Sequence, residues 1–373
     1  MNELERVGAE LTIDLSAVRQ NFRRLSNQLK PGIELAAVVK ADAYGLGVKK
    51  VVPVLTSSGC RTFFVSTLDE GVVLRELDEN VTIFILNGLL PGQIKEYINN
   101  RLYPVLNNMD QIDYWQKNQN KFDFSRYSAA LHLDTGMNRY GISQLEIINL
   151  VSGHHRHLSV SLLMSHLACA DEPTHPLNAV QLSRFHSNVK LYKSRVRNAL
   201  TASLANSSGI FLGSEYHFNM VRVGAALFGI NPTPSHSNPM SEVVNLKAKI
   251  AQVAVVDTPM TVGYGASHRV QGPTRVATVP VGYADGYIRS LSCRGCAFIG
   301  KECVPVIGRV SMDAITVDVS SVPLEESKPG TTVHLIGGPR PIDEGAKDAG
   351  TIGYEILTRL SNRIPRNYLW DSE

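Results

Sequence analysis

The chain has 373 residues and a formal net charge of +3, with 43% hydrophobic and 19% charged residues. This length indicates two domains, or one barrel with an appendage, and the composition is typical of a globular protein with a sizeable core. There is no basic block that would favour binding to nucleic acid or to a membrane surface. No apolar run approaches the ~20 residues that a membrane span needs, and the polar start lacks the apolar stretch of a signal peptide. We therefore expect a cytoplasmic protein.

The five cysteines are Cys60, Cys169, Cys293, Cys296 and Cys303, an odd and scattered set. This usage is typical of free thiols in a reducing compartment. Cys293 and Cys296 have CxxC spacing, so a zinc site or a redox pair is the alternative. Because the sequence has no second CxxC and no pair of histidines at ligand spacing, we predict no metal site.

Short apolar runs alternate with amphipathic stretches from residue 11 to about residue 230. The predicted strands are 35–39, 62–66, 81–86, 103–106, 128–133, 159–164, 202–205 and 218–221. The clearest predicted helices lie at 15–29, 69–77, 110–117 and about 177–200. Eight β/α alternations indicate a TIM (β/α)8 barrel, and the lack of a Gly-x-Gly-x-x-Gly motif disfavours a dinucleotide fold.

The pattern changes after about residue 240, where short β-rich runs are separated by Gly, Pro and Asp turns. These runs are 243–256, 275–280, 297–299, 304–307, 314–319 and 332–336, and a helix is predicted at 351–360. The Pro-rich stretch 231–239 is a natural linker. The predicted fold is α/β, with an N-terminal barrel over 1–238 and a C-terminal, mostly-β domain over 239–373. Packing of residues 1–10 on the second domain is left open.

Lys40 follows the first predicted barrel strand and precedes Gly45 and Gly47. The carboxyl ends of barrel strands are where the chemistry of this fold occurs. A lysine that is desolvated there can lose its proton near neutral pH and form an imine with a carbonyl cofactor. The alternative is a lysine whose charged end simply reaches solvent.

Other polar residues follow the predicted strands and would converge on the same mouth. They are Asn87, Asp134, Arg139, Ser165, His166, Asn206 and Arg222. Residues 206–209 and 223–225 follow the last two strands, which is the recurring phosphate site of this fold. An imine-forming lysine opposite a phosphate site indicates pyridoxal 5'-phosphate. Taken alone, Arg222 would be interpreted as one half of an ion pair at the mouth.

Motifs along nearly the whole chain resemble those of the alanine racemases, the fold-type III pyridoxal phosphate enzymes. In the first domain they are AVVKADAYGLG at 37–47 and LDTGMNRYG at 133–141, with 164–167, 206–209 and 221–224. In the second domain they lie at 262–266, 281–286, 308–313 and 352–355. The resemblance implies interconversion of L-alanine and D-alanine, a peptidoglycan precursor, by an isomerase.

The resemblance implies two catalytic bases on opposite faces of the substrate, Lys40 and Tyr264. Because a free tyrosine has a pKa of about 10, the phenol needs nearby cations or hydrogen bonds to act as a base. Arg139, His166 and Arg222 are implied to support catalysis. Arg222 is implied to face the pyridine nitrogen, and because it keeps its proton, that nitrogen would stay largely unprotonated and the carbanion short-lived.

The remaining roles also come from the resemblance. The implied cofactor contacts are Lys40, Tyr44, Ser207, Arg222, Gly224, Ala225 and Tyr354. The implied substrate contacts are Arg139, Met312 and Asp313, and the implied entryway residues are Tyr283 and Arg309. Tyr264 and Met312 are implied to reach the site of the other subunit, so a homodimer with shared active sites is expected.

His132 departs from the family pattern. Many relatives carry a carbamylated lysine at this position, seven residues before the motif arginine, where it pairs with that arginine. Arg139 must therefore be balanced by Asp134, by a bound anion such as chloride or by His132 itself.

Two alternatives to an alanine racemase stay open. A cofactor carrier without catalysis would be a single barrel, which the residues after 240 disfavour. A racemase or decarboxylase for a larger amino acid, such as serine or lysine, is the other alternative. The choice between supplying D-alanine and degrading it also stays open.

Overall fold

The computed structural model describes residues 8–118, 128–153, 158–195, 200–257 and 259–370. Residues 1–7 of the predicted first domain lie outside the described residues, as does much of the end of the helix predicted at 177–200. Among the described helices, none combines the length and the apolar character that crossing a bilayer demands.

Eight consecutive strands close into a parallel barrel. A first strand, β1 (Ala9–Asp14), precedes them. The barrel strands are β2 (Glu34–Val38), β3 (Thr62–Val65), β4 (Thr82–Ile85), β5 (Tyr103–Leu106), β6 (Ala129–His132), β7 (Val160–Met164), β8 (Thr201–Ser203) and β9 (Met220–Val223). The predicted barrel is confirmed, and each strand lies within about two residues of its predicted position.

Buried side chains fill the inside of the barrel. Phe64 and Phe84 stack there with ring centroids 5.0 Å apart, and Met164 and Met220 pack in the same cluster. A barrel of this size is a packed core rather than a pore, so a ligand has room only at the mouth.

The described helices pack around the barrel. They are α1 (Leu15–Ser26), α2 (Val48–Ser57), α3 (Leu68–Leu77), α4 (Ile94–Asn99), α5 (Met109–Asn118), α6 (Gln144–Ser152) and α7 (Pro176–Arg195). Side-chain caps fix where several of them begin. Thr67 and Glu70 form a capping box at the start of α3, and Ser143 and Glu146 form another at the start of α6.

The second domain contains a nine-stranded sheet. Its strands are β1 together with β10 (Val244–Lys249), β11 (Gln252–Val256), β14 (Thr274–Val279), β15 (Cys296–Ile299), β16 (Glu302–Ile307), β17 (Ile315–Asp318), β18 (Thr332–Ile336) and β19 (Arg366–Leu369). Their order across the sheet is β11-β14-β17-β16-β15-β18-β10-β1-β19. A separate pair is formed by β12 (Met260–Val262) and β13 (His268–Val270). Two helices follow β18, namely α8 (Ile342–Ala349) and α9 (Gly353–Arg359).

Strand β1 belongs to this second sheet although it precedes the barrel. It pairs antiparallel with β10, where Leu11 is opposite Leu246, and parallel with β19. Its residues alternate between buried and half-buried positions, as a strand with one face on a core requires. The predicted boundary between residues 238 and 239 stays a prediction.

Candidate active site

A cavity of about 380 Å³ opens at the mouth of the barrel. Its lining includes nine of the predicted site residues: Lys40, Tyr44, Arg139, His166, Ser207, Arg222, Gly224, Ala225 and Tyr354. The carboxyl ends of the strands carry most of them, because parallel strands present those ends to one side of a barrel.

Lys40 is followed by a left-handed turn that the sequence does not reveal. Ala41, Asp42 and Ala43 have φ values of 54°, 55° and 55°, and Tyr44 has 57°. This conformation costs a residue with a Cβ roughly 1–2 kcal/mol. It is held by hydrogen bonds, including Val48 N–H to Asp42 Oδ1 at 2.7 Å. The turn brings both Lys40 and Tyr44 to the cavity within a span of five residues.

Burial and then the positive charge of Arg139 lower the pKa of Lys40, while the carboxylate of Glu70 acts in the opposite direction. A lowered pKa increases the fraction of Lys40 that is neutral at a given pH. Only the neutral amine can accept a proton or attack a carbonyl group.

Arg222 is a buried cation that is held by neutral groups. Nη1 donates to Ser203 O at 2.9 Å and to Ser203 Oγ at 2.6 Å, and Nη2 donates to Ser165 O at 2.5 Å. Burial lowers its pKa to about 10, so it stays charged at neutral pH. Among the described residues Arg222 has no ion pair, so the structure differs from the ion-pair alternative.

His166 lies beside this cation. Its Nδ1 is 3.4 Å from Arg222 Nη2. Because arginine can only donate, Nδ1 must accept, and the ring is neutral. Burial and then Arg222 and Arg139 hold the pKa of His166 well below its usual value.

His132 is also neutral. Its Nδ1 lies 2.9 Å from Asn107 Oδ1, and Asn107 Nδ2 donates to Leu86 O and Val105 O, which fixes the amide orientation. Nδ1 therefore carries the proton. Burial and then Arg222 lower the pKa of His132 to about 4. His132 thus offers Arg139 no negative charge.

Asp134 is engaged in its own loop. Its Oδ1 accepts the N–H groups of Gly136, Met137 and Asn138 at 2.9, 3.0 and 3.2 Å. Within the described part of the chain, no ion pair joins Asp134 to Arg139. With Lys40 and Arg222, Arg139 makes the cavity a place for anionic groups.

The far end of the cavity has hydroxyl groups and small residues. Ser207 Oγ accepts the N–H groups of Gly224 and Ala226 at 3.1 and 3.4 Å. A Cβ on Gly224 would lie 2.3 Å from the hydroxyl of Tyr44, so only glycine fits there. The ring centroids of Tyr44 and Tyr354 are 6.0 Å apart. Burial raises the pKa of Tyr44 and, with Asp171 and Asp343, that of Tyr354, so both phenols stay protonated and can donate.

The other five predicted site residues do not line this cavity. They are Tyr264, Tyr283, Arg309, Met312 and Asp313, and all are exposed on loops of the second domain. Several of those loops lie together: Tyr283 N–H donates to Ser311 O at 3.0 Å, and a Cβ on Gly265 would lie 3.0 Å from the guanidinium of Arg309. Arg363 fixes Asp313 by an ion pair of 2.8 Å. We call Tyr264, Tyr283, Arg309, Met312 and Asp313 the second-domain face.

Several residues at the site escaped the sequence analysis. Gln181 on α7 is fully buried; its Nε2 donates to Thr135 Oγ1 and to His166 O, and its Oε1 accepts the Ala168 N–H. Nothing in the pattern of α7 distinguishes it. Glu70 had a detectable signal, since Thr67-x-x-Glu70 is a capping-box sequence.

Cys293 and Cys296 have different surroundings. The thiol of Cys293 contacts Gly308 O at 3.4 Å, whereas Cys296 accepts a hydrogen bond from Arg340. Among the described residues, no group of three or more His, Cys, Asp and Glu could hold a metal ion.

Models of known protein families match nearly the whole chain. The sequence model of the alanine racemase N-terminal domain matches residues 13–232, and that of the alanine racemase C-terminal domain matches residues 243–368. The chain belongs to the alanine racemase family. The resemblance seen in the motifs is thereby confirmed, and alanine racemases are isomerases.

Full-length alanine racemases agree with this assignment. The alanine racemase of Rhodospirillum rubrum is 46% identical over 99% of this chain and 98% of its own length. The catabolic alanine racemase of Mesorhizobium japonicum is 44% identical over 97% of this chain and 93% of its own length. Among solved structures, alanine racemase from Bartonella henselae with covalently bound pyridoxal phosphate has a TM-score of 0.90 and 35% identity, covering 97% of this chain and 99% of that one.

Alanine racemases depend on pyridoxal 5'-phosphate, and the cavity has the donors that this cofactor needs. Lys40 has an amine that would be available to the aldehyde. Ser207 and Tyr44 have hydroxyl groups that would be available to the phosphate beside Gly224, where a Cβ would take up the space. Arg222 supplies a cation whose neutral partners leave it uncompensated. The cavity therefore fits the cofactor of the family.

Proposed function

We propose that the protein interconverts L-alanine and D-alanine with two bases, Lys40 of its own barrel and Tyr264 of a second copy in a homodimer. The observation that carries this proposal is a contrast in position. Lys40 lines the cavity, whereas Tyr264 is 70% exposed and does not line the cavity of its own chain. This contrast supports a role for Tyr264 in the cavity of a second chain.

Lys40 would hold the cofactor and move the proton on one face of the substrate. Its lowered pKa supports this role, because the amine is neutral over a wider pH range. The bound cofactor withdraws electrons from the substrate Cα and so makes the α-proton acidic. Arg222 would contact the ring nitrogen, and Tyr44, Ser207, Gly224, Ala225 and Tyr354 would hold the phosphate.

Tyr264 would move the proton on the opposite face. The second-domain face would cover the mouth of the other barrel, with Met312 and Asp313 beside the substrate and with Tyr283 and Arg309 at the entry. Tyr264, Met312 and Tyr283 are 70%, 52% and 42% exposed, which is unusual for such apolar rings and chains unless another surface covers them. Arg139 would bind the substrate carboxylate or orient the phenol.

We propose alanine rather than serine or lysine as the substrate, because the chain belongs to the alanine racemase family. The substrate would share the cavity of about 380 Å³ with the cofactor. We keep the cytoplasm as the expected location. An assay that contains alanine, serine and lysine together, and that measures the racemisation rate of each, would reveal a larger natural substrate.

Conversion of L-alanine to D-alanine tests the function directly. The full-length protein is incubated with pyridoxal 5'-phosphate and L-alanine, and both enantiomers are quantified by chiral chromatography. Wild-type protein should bring them to equal amounts, and Lys40→Ala should not. If the wild type leaves L-alanine unchanged, the proposed function is wrong.

A further inference from the structure

Glu70 contacts the peptide that follows Lys40. Its Oε1 accepts the N–H of Ala41 at 2.8 Å. Its Oε2 accepts the N–H of Ser66 at 2.7 Å and the N–H of Thr67 at 3.3 Å. Ala41 follows β2, whereas Ser66 and Thr67 follow β3. One carboxylate therefore joins two neighbouring loops at the barrel mouth.

The position of this contact matters because Ala41 is the first residue of the left-handed turn. The turn has an intrinsic cost at each of its residues from Ala41 to Tyr44. Residues in such conformations persist only where the surroundings hold them. A hydrogen bond to the Ala41 N–H fixes the orientation of the peptide group between Lys40 and Ala41, and with it the direction in which the Lys40 side chain leaves the backbone.

Glu70 is also the negative group that acts on Lys40. Burial and Arg139 disfavour a positive charge on Lys40, and Glu70 favours it. Asp69, the neighbouring acid on α3, is exposed, and none of the described hydrogen bonds joins it to the turn. The two acids therefore differ in geometry although they share a helix turn and a charge.

We propose that Glu70 is a positioning residue for Lys40: it fixes the peptide after the lysine and supplies a negative charge that favours the protonated form of the Lys40 nitrogen. It touches neither substrate nor cofactor in this role, and it acts through Lys40. The inference rests on the proposed function, because it assigns Glu70 a role in the same site.

Three variants separate the hydrogen bonds from the charge. Glu70→Gln removes the charge and turns the amide NH2 group, a donor, towards a backbone N–H. Glu70→Asp keeps the charge but shortens the side chain, so that it cannot hold both loops. Asp69→Asn is the matched control, since it removes one negative charge from the same turn of α3 without a described contact to Ala41.

The experiment uses the cofactor-loaded enzyme. The visible absorption band of the bound cofactor is titrated with pH, kcat and KM for L-alanine are measured, and thermal unfolding shows whether each variant folds. Glu70→Gln should move the midpoint of the alkaline transition down by about one pH unit, because loss of a nearby negative charge disfavours the proton on the Lys40 nitrogen. Asp69→Asn should move it much less, because solvent screens an exposed charge.

Glu70→Asp should keep the midpoint near that of the wild type and lower kcat by about tenfold with little change in KM, because a small misplacement of a reacting group costs rate rather than binding. The inference is overturned if Glu70→Gln folds but leaves the midpoint and kcat unchanged, or if Asp69→Asn shifts the midpoint equally. A wild-type enzyme that fails to racemise alanine instead refutes the proposed function, and the absorption titration still tests Glu70 in that case.

Discussion

The barrel mouth and the second-domain face carry functional residues in opposite environments. In the cavity, Arg222 is 4% exposed and His132 is 8% exposed, and each has buried hydrogen-bond partners within the chain. On the second-domain face, Tyr264 and Met312 are more than half exposed. The first region is enclosed within one chain, whereas the second is open to solvent.

The two regions differ in how the protonation state of their functional residues would be set. Burial shifts the pKa values of Lys40, His166 and Arg222 within the monomer. Tyr264 is 70% exposed in its own chain, and in the proposed dimer a partner barrel would supply cations that stabilise a phenolate.

Mixing two inactive variants tests whether the sites are shared. Lys40→Ala and Tyr264→Phe dimers should each be nearly inactive alone. A hybrid dimer would have one barrel with an intact Lys40 facing an intact Tyr264, so random co-assembly should restore about a quarter of the sites. The activity of the unfractionated, co-expressed mixture measures this, and hybrids purified through two different tags should have about half of their sites intact. Absence of any recovery in verified hybrids would indicate that Tyr264 serves its own chain.

Tyr264→Phe should affect the two enantiomers unequally. Loss of one proton-transferring group typically costs about 10²–10⁴-fold in rate, and here it should fall on proton exchange from one enantiomer. Exchange of the Cα proton in deuterated water, followed by NMR from L-alanine and from D-alanine, measures each direction. Equal losses from both would contradict the two-base proposal.

Gly224→Ala should weaken cofactor binding about tenfold or more. The added Cβ would lie 2.3 Å from the Tyr44 hydroxyl, and overpacking of this kind typically costs about 1–3 kcal/mol. Gly272→Ala is the control, because its Cβ would meet no atom within 4 Å. A cofactor titration monitored by absorbance compares the affinities of the Gly224→Ala and Gly272→Ala variants. Equal affinities would argue against a cofactor site that needs the open space beside Gly224.

Tyr283→Phe should have the smallest effect on folding. Tyr283 is 42% exposed, so the free energy of unfolding should change by no more than about 0.5 kcal/mol in urea. A decrease in the free energy of unfolding above about 2 kcal/mol would show that Tyr283 makes contacts within its own chain and does not lie on an open face.

The sequence predicted the barrel well because each barrel strand is a short, buried, apolar run between turn residues. It missed strand β1, whose partners Val244–Lys249 and Arg366–Leu369 lie more than 200 residues away. Periodicity can show that a segment is extended, but it cannot show which sheet that segment joins.

The same limit applies to the site. Lys40, Tyr44 and Arg222 could be located because each follows a predicted strand or belongs to a motif. The left-handed turn could not be predicted, because Ala41 and Ala43 have no local preference for it and Asp residues adopt it only occasionally and singly. A local hydrogen bond from Val48 N–H to Asp42 Oδ1 and a distant contact from the carboxylate of Glu70 hold that conformation. The separation of the second-domain face from the cavity also depends on tertiary structure.

The place of β1 has a consequence for protein synthesis. Strand β1 is translated before the other strands of its sheet. In the finished sheet it lies between β10 and β19, and β19 is among the last segments to be translated. At typical translation rates of about 5–20 residues per second, it waits tens of seconds for its partners. During that time the nascent barrel carries a strand whose backbone N–H and C=O groups have no sheet partners, so the second sheet can close only after the end of the chain has been made.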